Sequence, residues 1–141
     1  MLEVGLQGLH PEVVRHMGIL RFRTSYGQQV LAHSKEVAYL ARMMAHEIGA
    51  DVRTATMAGF LHDIGKAIDH EVEGSHAVIG ADLLQRNGVP AAVVHAVRAH
   101  HYDEEPHAVE ALLLIAADAI SAAIMPARCA TSLEWLRTCW P

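Results

Sequence analysis

Aromatic residues make up only 5% of this 141-residue chain, and positive charge is short, with 11 Lys and Arg against 16 Asp and Glu and a formal net charge of −5. No basic surface therefore advertises nucleic-acid binding. A polyanionic substrate stays open only if bound cations supply the missing charge. Cysteine is nearly absent. Cys129 and Cys139 form no CxxC, and nothing suggests a disulfide framework. The longest run with little charge, "ALLLIAADAISAAIMPA" from Ala111 to Ala127, is short for a membrane span and carries Asp118 near its middle. It reads as a buried helix. The N-terminal "MLEVGLQGLHPE" is neither basic nor continuously apolar, so no secretory signal is expected, and a cytoplasmic location is. Repeats, low-complexity tracts, a P-loop and a dinucleotide fingerprint are all missing, and nothing points to a nucleophilic Cys or Ser.

What is present is a hydrophobic fraction of 52%, mostly Ala, Val, Leu and Ile, and 11 histidines. The apolar composition and length suit one packed domain. No segment sustains a period of two, so an all-α fold is expected. Pro11 can open a first helix through "EVVRHMGILRF". A second helix is expected from about Gly27 to Ile48, ended by Gly49, with Val30, Val37, Leu40, Met44 and Ile48 as its apolar stripe and His33 on the same stripe. Asp51 can cap a third helix running to about Asp63, with Gly65 at its end and a loop from Lys66 to Gly74. Ser75 can cap a fourth, "HAVIGADLLQRN", closed by Gly88, and Pro90 can open a fifth, "AAVVHAVRAHH". A sixth helix follows "YDEEP" to about Met125, and a last short one fits "TSLEWLR".

The chemistry concentrates in "FLHDIGKAIDHEVEGSH", Phe60 to His76, and in a few distant positions. Asp118 is the only charged residue between Ala111 and Ala127, and a carboxylate on an apolar helix is costly unless a cation meets it. Its plainer reading is a partner for an Arg or a backbone donor. His33 alone is a weak signal, since a lone His on an apolar stripe is more often a hydrogen-bonded core residue. His62 and Asp63 stand together at a helix end, where the dipole favours the histidine but not the carboxylate. Lys66 lies four residues beyond His62 and reaches the same pocket if the helix continues; otherwise it is a surface lysine. His100 and His101 diverge on a helix, so both serve one centre only if it is wide or holds two ions. His76 follows the Ser75 cap. His70 sits in an acidic loop and reads as solvated. Taken together, imidazole and carboxylate are the ligands that Zn, Fe and Mn accept. Two such ions roughly 3.5–4 Å apart can activate water and clamp a phosphoryl oxygen, with a lysine offsetting phosphate charge.

His33, the doublet in "HDIGK" and the distant Asp118 resemble the H…HD…D signature of the HD-domain metal-dependent phosphohydrolases. His76 and the His100-His101 pair resemble the dinuclear branch of that superfamily, although its "GYP" segment is absent. The longer stretches "LRFRTSYGQQVLAHSKEVAYLA" and "AGFLHDIGKAIDHEVEGSH", with "AHHYDEEP" and "ADAISAA", look like the HD domain of the ribonuclease Y family over about residues 4–123. This resemblance implies one HD-domain bundle of six to seven helices over residues 1–141, with 124–141 a divergent tail. It implies one or two divalent ions (Zn, Fe, Mn or Mg) held by His33, His62, Asp63, His76, His100, His101 and Asp118. Asp63 and Lys66 would take catalytic roles, and a phosphate ester, with RNA or a nucleotide foremost, would be cleaved by metal-activated hydroxide.

That family carries a membrane helix, a coiled coil and a KH RNA-binding domain before its HD domain, and this chain shows no counterpart to them. Where the family reads "SAARPGARRE", this chain reads "SAAIMPARCA": Ile124 and Cys129 replace arginines, while Arg128 remains as a candidate substrate contact. Two other readings stand beside RNA cleavage. One keeps the site but changes the substrate to a small nucleotide or dinucleotide. The other is an inactive metal-binding or dimerisation module, for which the apolar tail "LEWLRTCWP" makes a homodimer plausible.

Overall fold

The computed structural model describes residues 4–25, 27–70 and 72–131, and from residue 124 onward it describes backbone alone. Six α-helices carry the described chain: α1 (Pro11–Ile19), α2 (Val30–Ile48), α3 (Val52–Leu61), α4 (His76–Arg86), α5 (Ala91–Ala99) and α6 (Val109–Thr131). Two short 3-10 turns, Leu20–Phe22 and Ile64–Ala67, follow α1 and α3. The all-α expectation holds apart from two residue-pair strands, β1 (Thr24–Ser25) and β2 (Gln28–Gln29), which pair antiparallel. That pairing is why α2 starts at Val30 rather than near Gly27.

The helix ends follow local chemistry. Pro11 occupies the first turn of α1, where a missing N–H costs nothing. Asp51 accepts from the Arg53 and Thr54 amides at 2.9 and 3.1 Å and so satisfies two donors that the helix leaves open. Ser75 accepts from the Ala77 amide at 3.2 Å. Gly49 closes α2 in the left-handed conformation at φ 71°. Pro90 stands one residue before α5 and not within it. Gly65 does not end α3; the chain tightens into the 3-10 turn Ile64–Ala67, which takes in Lys66. The sixth helix runs through Pro126 to Thr131, past the expected end near Met125, since an internal proline removes one hydrogen bond without forbidding the next turn. The expected helix in "TSLEWLR", apart from Thr131, lies outside the described residues.

α2 packs against both α3 and α6, and α4 packs against α5 and the Ile64–Ala67 turn. The buried face of α2 is Val30, Ser34, Val37, Ala38, Ala41 and Ala45. Ile48, placed on that face by periodicity, is 61% exposed, because the small Ala side chains set the seam about a residue away from the expected stripe. His33 consequently lies at the edge of the seam instead of in its middle.

Two close approaches fix the centre of the molecule. A Cβ on Gly59 would sit 2.8 Å from the Ala38 Cα, so α3 lies directly on the α2 backbone. A Cβ on Gly65 would sit 2.0 Å from the His76 carbonyl oxygen, so the turn after Asp63 docks on the first residue of α4. Real Cβ atoms do not come that near, and only glycine lets His76 stand beside the His62-Asp63 doublet.

Candidate metal centre

His62 is the cap residue at the end of α3, and Asp63 is the next residue; both are 1% exposed. Four other helices or their ends converge on the doublet, with His33 from α2, His76 from α4, His100 and His101 from the end of α5, and Asp118 from α6. His33 Nε2 lies 2.9 Å from Asp118 Oδ1 and 4.0 Å from Asp63 Oδ2. His62 Nε2 lies 3.4 Å from Asp63 Oδ2 and 3.8 Å from Asp118 Oδ1. On the other side, His76 Nε2 lies 3.4 Å from Asp63 Oδ1. The rings form a connected row that ends in a triangle: His33 and His62 centroids are 5.2 Å apart and His62 and His100 5.2 Å, while His76 lies 5.4 Å from His100 and 4.9 Å from His101, and His100 and His101 are 4.1 Å apart. The two carboxylate oxygens of Asp63 therefore face different halves of this row.

The histidines are held by their far nitrogens. His62 Nδ1 contacts the Gly59 carbonyl at 2.8 Å, and His100 Nδ1 contacts that of Val97 at 2.5 Å. A carbonyl can only accept, so each Nδ1 must carry the proton, and in the neutral rings each Nε2 presents a lone pair. His62 Nε2, His76 Nε2, His100 Nε2 and Asp63 Oδ1 are buried without a hydrogen-bond partner. Lone pairs turned toward carboxylate oxygens repel unless a proton or a cation lies between them. Buried polar atoms are rarely left so, and one or two cations coordinated by these atoms would resolve the arrangement. The donor set of imidazole nitrogens and carboxylate oxygens suits a borderline divalent ion. Three groups here bring ligand atoms within 4.8 Å of one another: His33, His62 and Asp118; His62, Asp63 and His100; His76, His100 and His101. They interlock through His62 and His100.

Electrostatics sharpen the division of labour. Burial disfavours the charged Asp63 carboxylate, but His62 and Lys66 outweigh it and hold the group far below the usual carboxylate range. Burial likewise works against Asp118, yet the His33 hydrogen bond and the nearby His62 bring it down to about 2. Burial pushes His100 down to about 3, helped by the charge of His62. His76 is lowered mainly by burial, which outweighs the pull of Asp63. Both rings are thus neutral at pH 7 and free to donate lone pairs. His62 moves the other way: burial opposes its charge, but Asp63 and Asp118 prevail and raise it.

Lys66 Nζ donates to Asp63 Oδ2 at 2.9 Å, within the 3-10 turn and three residues on, not by the continued helix expected four residues after His62. Arg128 lies on α6, and its side chain is outside the described residues. His70 and Asp69 turn away to Arg23, at 2.6 and 3.3 Å.

Sequence reasoning missed two residues. His33 Nδ1 contacts Ser121 Oγ at 3.0 Å, and that hydroxyl donates to Glu36 Oε2 at 2.9 Å. Glu36 is three residues past His33, and Ser121 three past Asp118. The same-face spacing of H-x-x-E and D-x-x-S on two helices was the available signal. Such outer carboxylates orient ligand histidines.

A profile of the HD domain matches residues 30–123. The chain is 62% identical over 126 residues to ribonuclease Y of Thermoanaerobacter pseudethanolicus, covering 89% of this chain and 25% of that protein. It is 56% identical over 135 residues to ribonuclease Y of Desulforamulus reducens, covering 96% of this chain and 26% of that one. The chain thus spans about a quarter of the length of the curated relatives it matches. Among solved structures, the HD domain of the L. monocytogenes phosphodiesterase PgpH superposes with a TM-score of 0.65 at 20% identity, over 82% of this chain and 74% of that one. The same domain solved with cyclic-di-AMP gives a TM-score of 0.62 at 19% identity, over 92% and 78%. Matched over two thirds of its length and built around the H…HD…D residues, this chain belongs to the HD-domain family.

Proposed function

We propose that this HD domain hydrolyses phosphodiesters, RNA foremost, with one or two divalent ions bound by His33, His62, Asp63, Asp118, His76, His100 and His101. The observation that carries the reading is the set of four buried, unpartnered atoms around Asp63, whose oxygens face two different groups of histidines. Bound there, a divalent ion supplies Lewis acidity and lowers the pKa of water. The chain's own residues supply the rest. His62 and His100 are locked by backbone carbonyls with Nε2 inward, which removes a reorganisation cost at the moment of reaction. Asp63 stays ionised and joins the two halves. Lys66, one-fifth exposed, balances Asp63 and stands at the rim, where its ammonium can turn to a phosphate oxygen. The RNA preference rests on similarity to ribonuclease Y, of which this chain covers a quarter.

A dinucleotide is the second reading, favoured by the likeness in fold to a phosphodiesterase domain solved with cyclic-di-AMP. Turnover of a short single-stranded RNA, a cyclic dinucleotide and a simple phosphodiester, each with Mn2+, Zn2+ or Mg2+ added, separates the two. Asp63→Ala and His62→Ala should abolish cleavage of every substrate. Undiminished turnover in both variants would sink the assignment, and preference for the cyclic dinucleotide would replace the RNA reading.

A further inference from the structure

Eleven histidines exceed what the centre at Asp63 uses. His95 on α5, with Glu104 and His107 in the segment before α6, brings three ligand atoms within 4.8 Å of one another. This group shares no residue with the three interlocked groups around Asp63. We propose that His95, Glu104 and His107 form a separate site for a transition-metal dication of zinc-like preference, which staples the α5–α6 connection to α5.

The local contacts support a ligand set more than a solvated charge cluster. His95 Nδ1 and Glu104 Oε1 are in direct contact, and the His95 side chain is 10% exposed. The His95 and His107 rings lie with centroids 3.7 Å apart and planes at 35°. The His107 amide donates to His95 Nε2 at 3.3 Å, so the segment already folds back on the helix. Arg98, one turn on along α5, pairs with Asp82 at 2.5 Å. Two imidazoles and one carboxylate are a set that zinc takes with a fourth position left to water, at bond lengths of about 2.0–2.2 Å. Magnesium and calcium prefer all-oxygen shells. An ion bound at His95 Nδ1 needs the ring's proton on Nε2, so it replaces both the Glu104 contact and the bond from the His107 amide, with no net loss of a proton from the neutral ring.

The position gives the staple a consequence. The connection begins at His100 and His101, and within it Asp103 accepts from Ser75 Oγ at 2.7 Å, the cap just before His76. Tyr102, between them, sits at φ 63°, a left-handed conformation that a non-glycine residue keeps only when its surroundings hold it. Fixing Glu104 and His107 on α5 holds this stretch from beyond.

The test uses the full chain and zinc alone. Chelator-treated wild type, His107→Ala and Glu104→Gln are equilibrated with micromolar Zn2+, dialysed and analysed for metal per chain, and amide exchange over residues 102–108 is followed with and without Zn2+. His107 is exposed and Glu104 half-buried, so both variants should fold, which circular dichroism verifies. Each variant should hold one zinc fewer per chain than wild type. Zn2+ should slow exchange over 102–108 in wild type only. Ligand loss should weaken this site by more than the roughly 10–100-fold that loss of an outer partner costs. Equal zinc content in all three chains, or exchange over 102–108 indifferent to Zn2+ in wild type, overturns the proposal. Neither result bears on the Asp63 centre, whose ligands stay intact throughout.

Discussion

Stripping divalent ions from the protein should cost it much of its thermal stability, and the size of the loss follows from four atoms. His62 Nε2, Asp63 Oδ1, His76 Nε2 and His100 Nε2 are buried without a partner. An unsatisfied buried polar group costs about 1–3 kcal/mol. The low end applies, because the His76 side chain is 21% exposed and the Asp63 charge is already half answered by Lys66. Satisfying all four atoms then relieves about 4 kcal/mol, four groups at about 1 kcal/mol each. Mass action delivers that much when the free ion stands at about 1,000 times its Kd. At this chain length each kcal/mol moves the melting midpoint by roughly 3–5 °C, so the gain should be about 12–20 °C. Calorimetric melts of chelator-treated protein, with and without Mn2+ or Zn2+ at that excess, measure it. Running them in the His107→Ala background keeps the His95 cluster out of the result. His100→Ala removes one of the four atoms and should forfeit at least a quarter of the gain. A midpoint that moves by less than about 2 °C on adding either ion would refute the reasoning, since no relief of even 1 kcal/mol would then be present. So would a His100→Ala variant that keeps the whole gain.

Two further outcomes follow from the arms of the site. Ser121→Ala breaks the chain from His33 to Glu36 without touching a ligand atom, and should weaken ion binding roughly 10–100-fold, with Ser121→Thr restoring most of it; equal affinity in the Ala variant would reduce the relay to packing. In metal-free protein, Asp118 is depressed from 3.8 to about 2, and a depressed carboxylate stabilises the fold above its unfolded pKa and loses that contribution as pH falls through its folded one. For this partly exposed group that lowering amounts to about 2 kcal/mol. Urea unfolding should therefore show wild type exceeding Asp118→Asn by about that amount at neutral pH, and the gap should close between about pH 4 and pH 2. A gap that stays constant over that range would remove the carboxylate's charge as its cause.

Much of this was legible in the sequence because helix punctuation is local. Asp51, Ser75, Pro11 and Gly49 each act on amides or carbonyls within a few residues, and the structure puts each where its chemistry directs. The site residues were legible for a different reason. Asp118 on an apolar helix carries a desolvation cost that packing alone does not explain, while the histidines and Asp63 were picked out by their motif spacing; the structure places these seven candidates near one another. The errors came from contacts between distant segments. On α2, Val30 and Val37 are buried and Leu40 and Met44 pack on the core as expected, but Ile48 is exposed and Ala38, Ala41 and Ala45 complete the buried face, an alanine seam that carries little hydrophobic signal. The 3-10 turn holding Lys66 is set by Gly65 lying against His76, a tertiary contact between residues eleven apart. Ser121 and Glu36 look like ordinary helix-surface polar residues until α2 and α6 are laid side by side.

The doublet itself explains why a helix end, and not a helix interior, carries the centre. Consecutive residues on a helix point about 100° apart, so within α3 His62 and Asp63 could not face one pocket. Where α3 gives way to the tighter turn, Asp63 leaves the helical conformation at φ −95° and ψ 9°, and its carboxylate swings back to 3.4 Å from His62 Nε2. The same change of direction exposes the second oxygen to His76 on the next helix. One backbone transition thus does two things: it brings an adjacent pair onto one centre and opens that centre to a second set of histidines. A substitution that let α3 continue through Asp63 would separate both contacts while leaving every ligand residue in the chain.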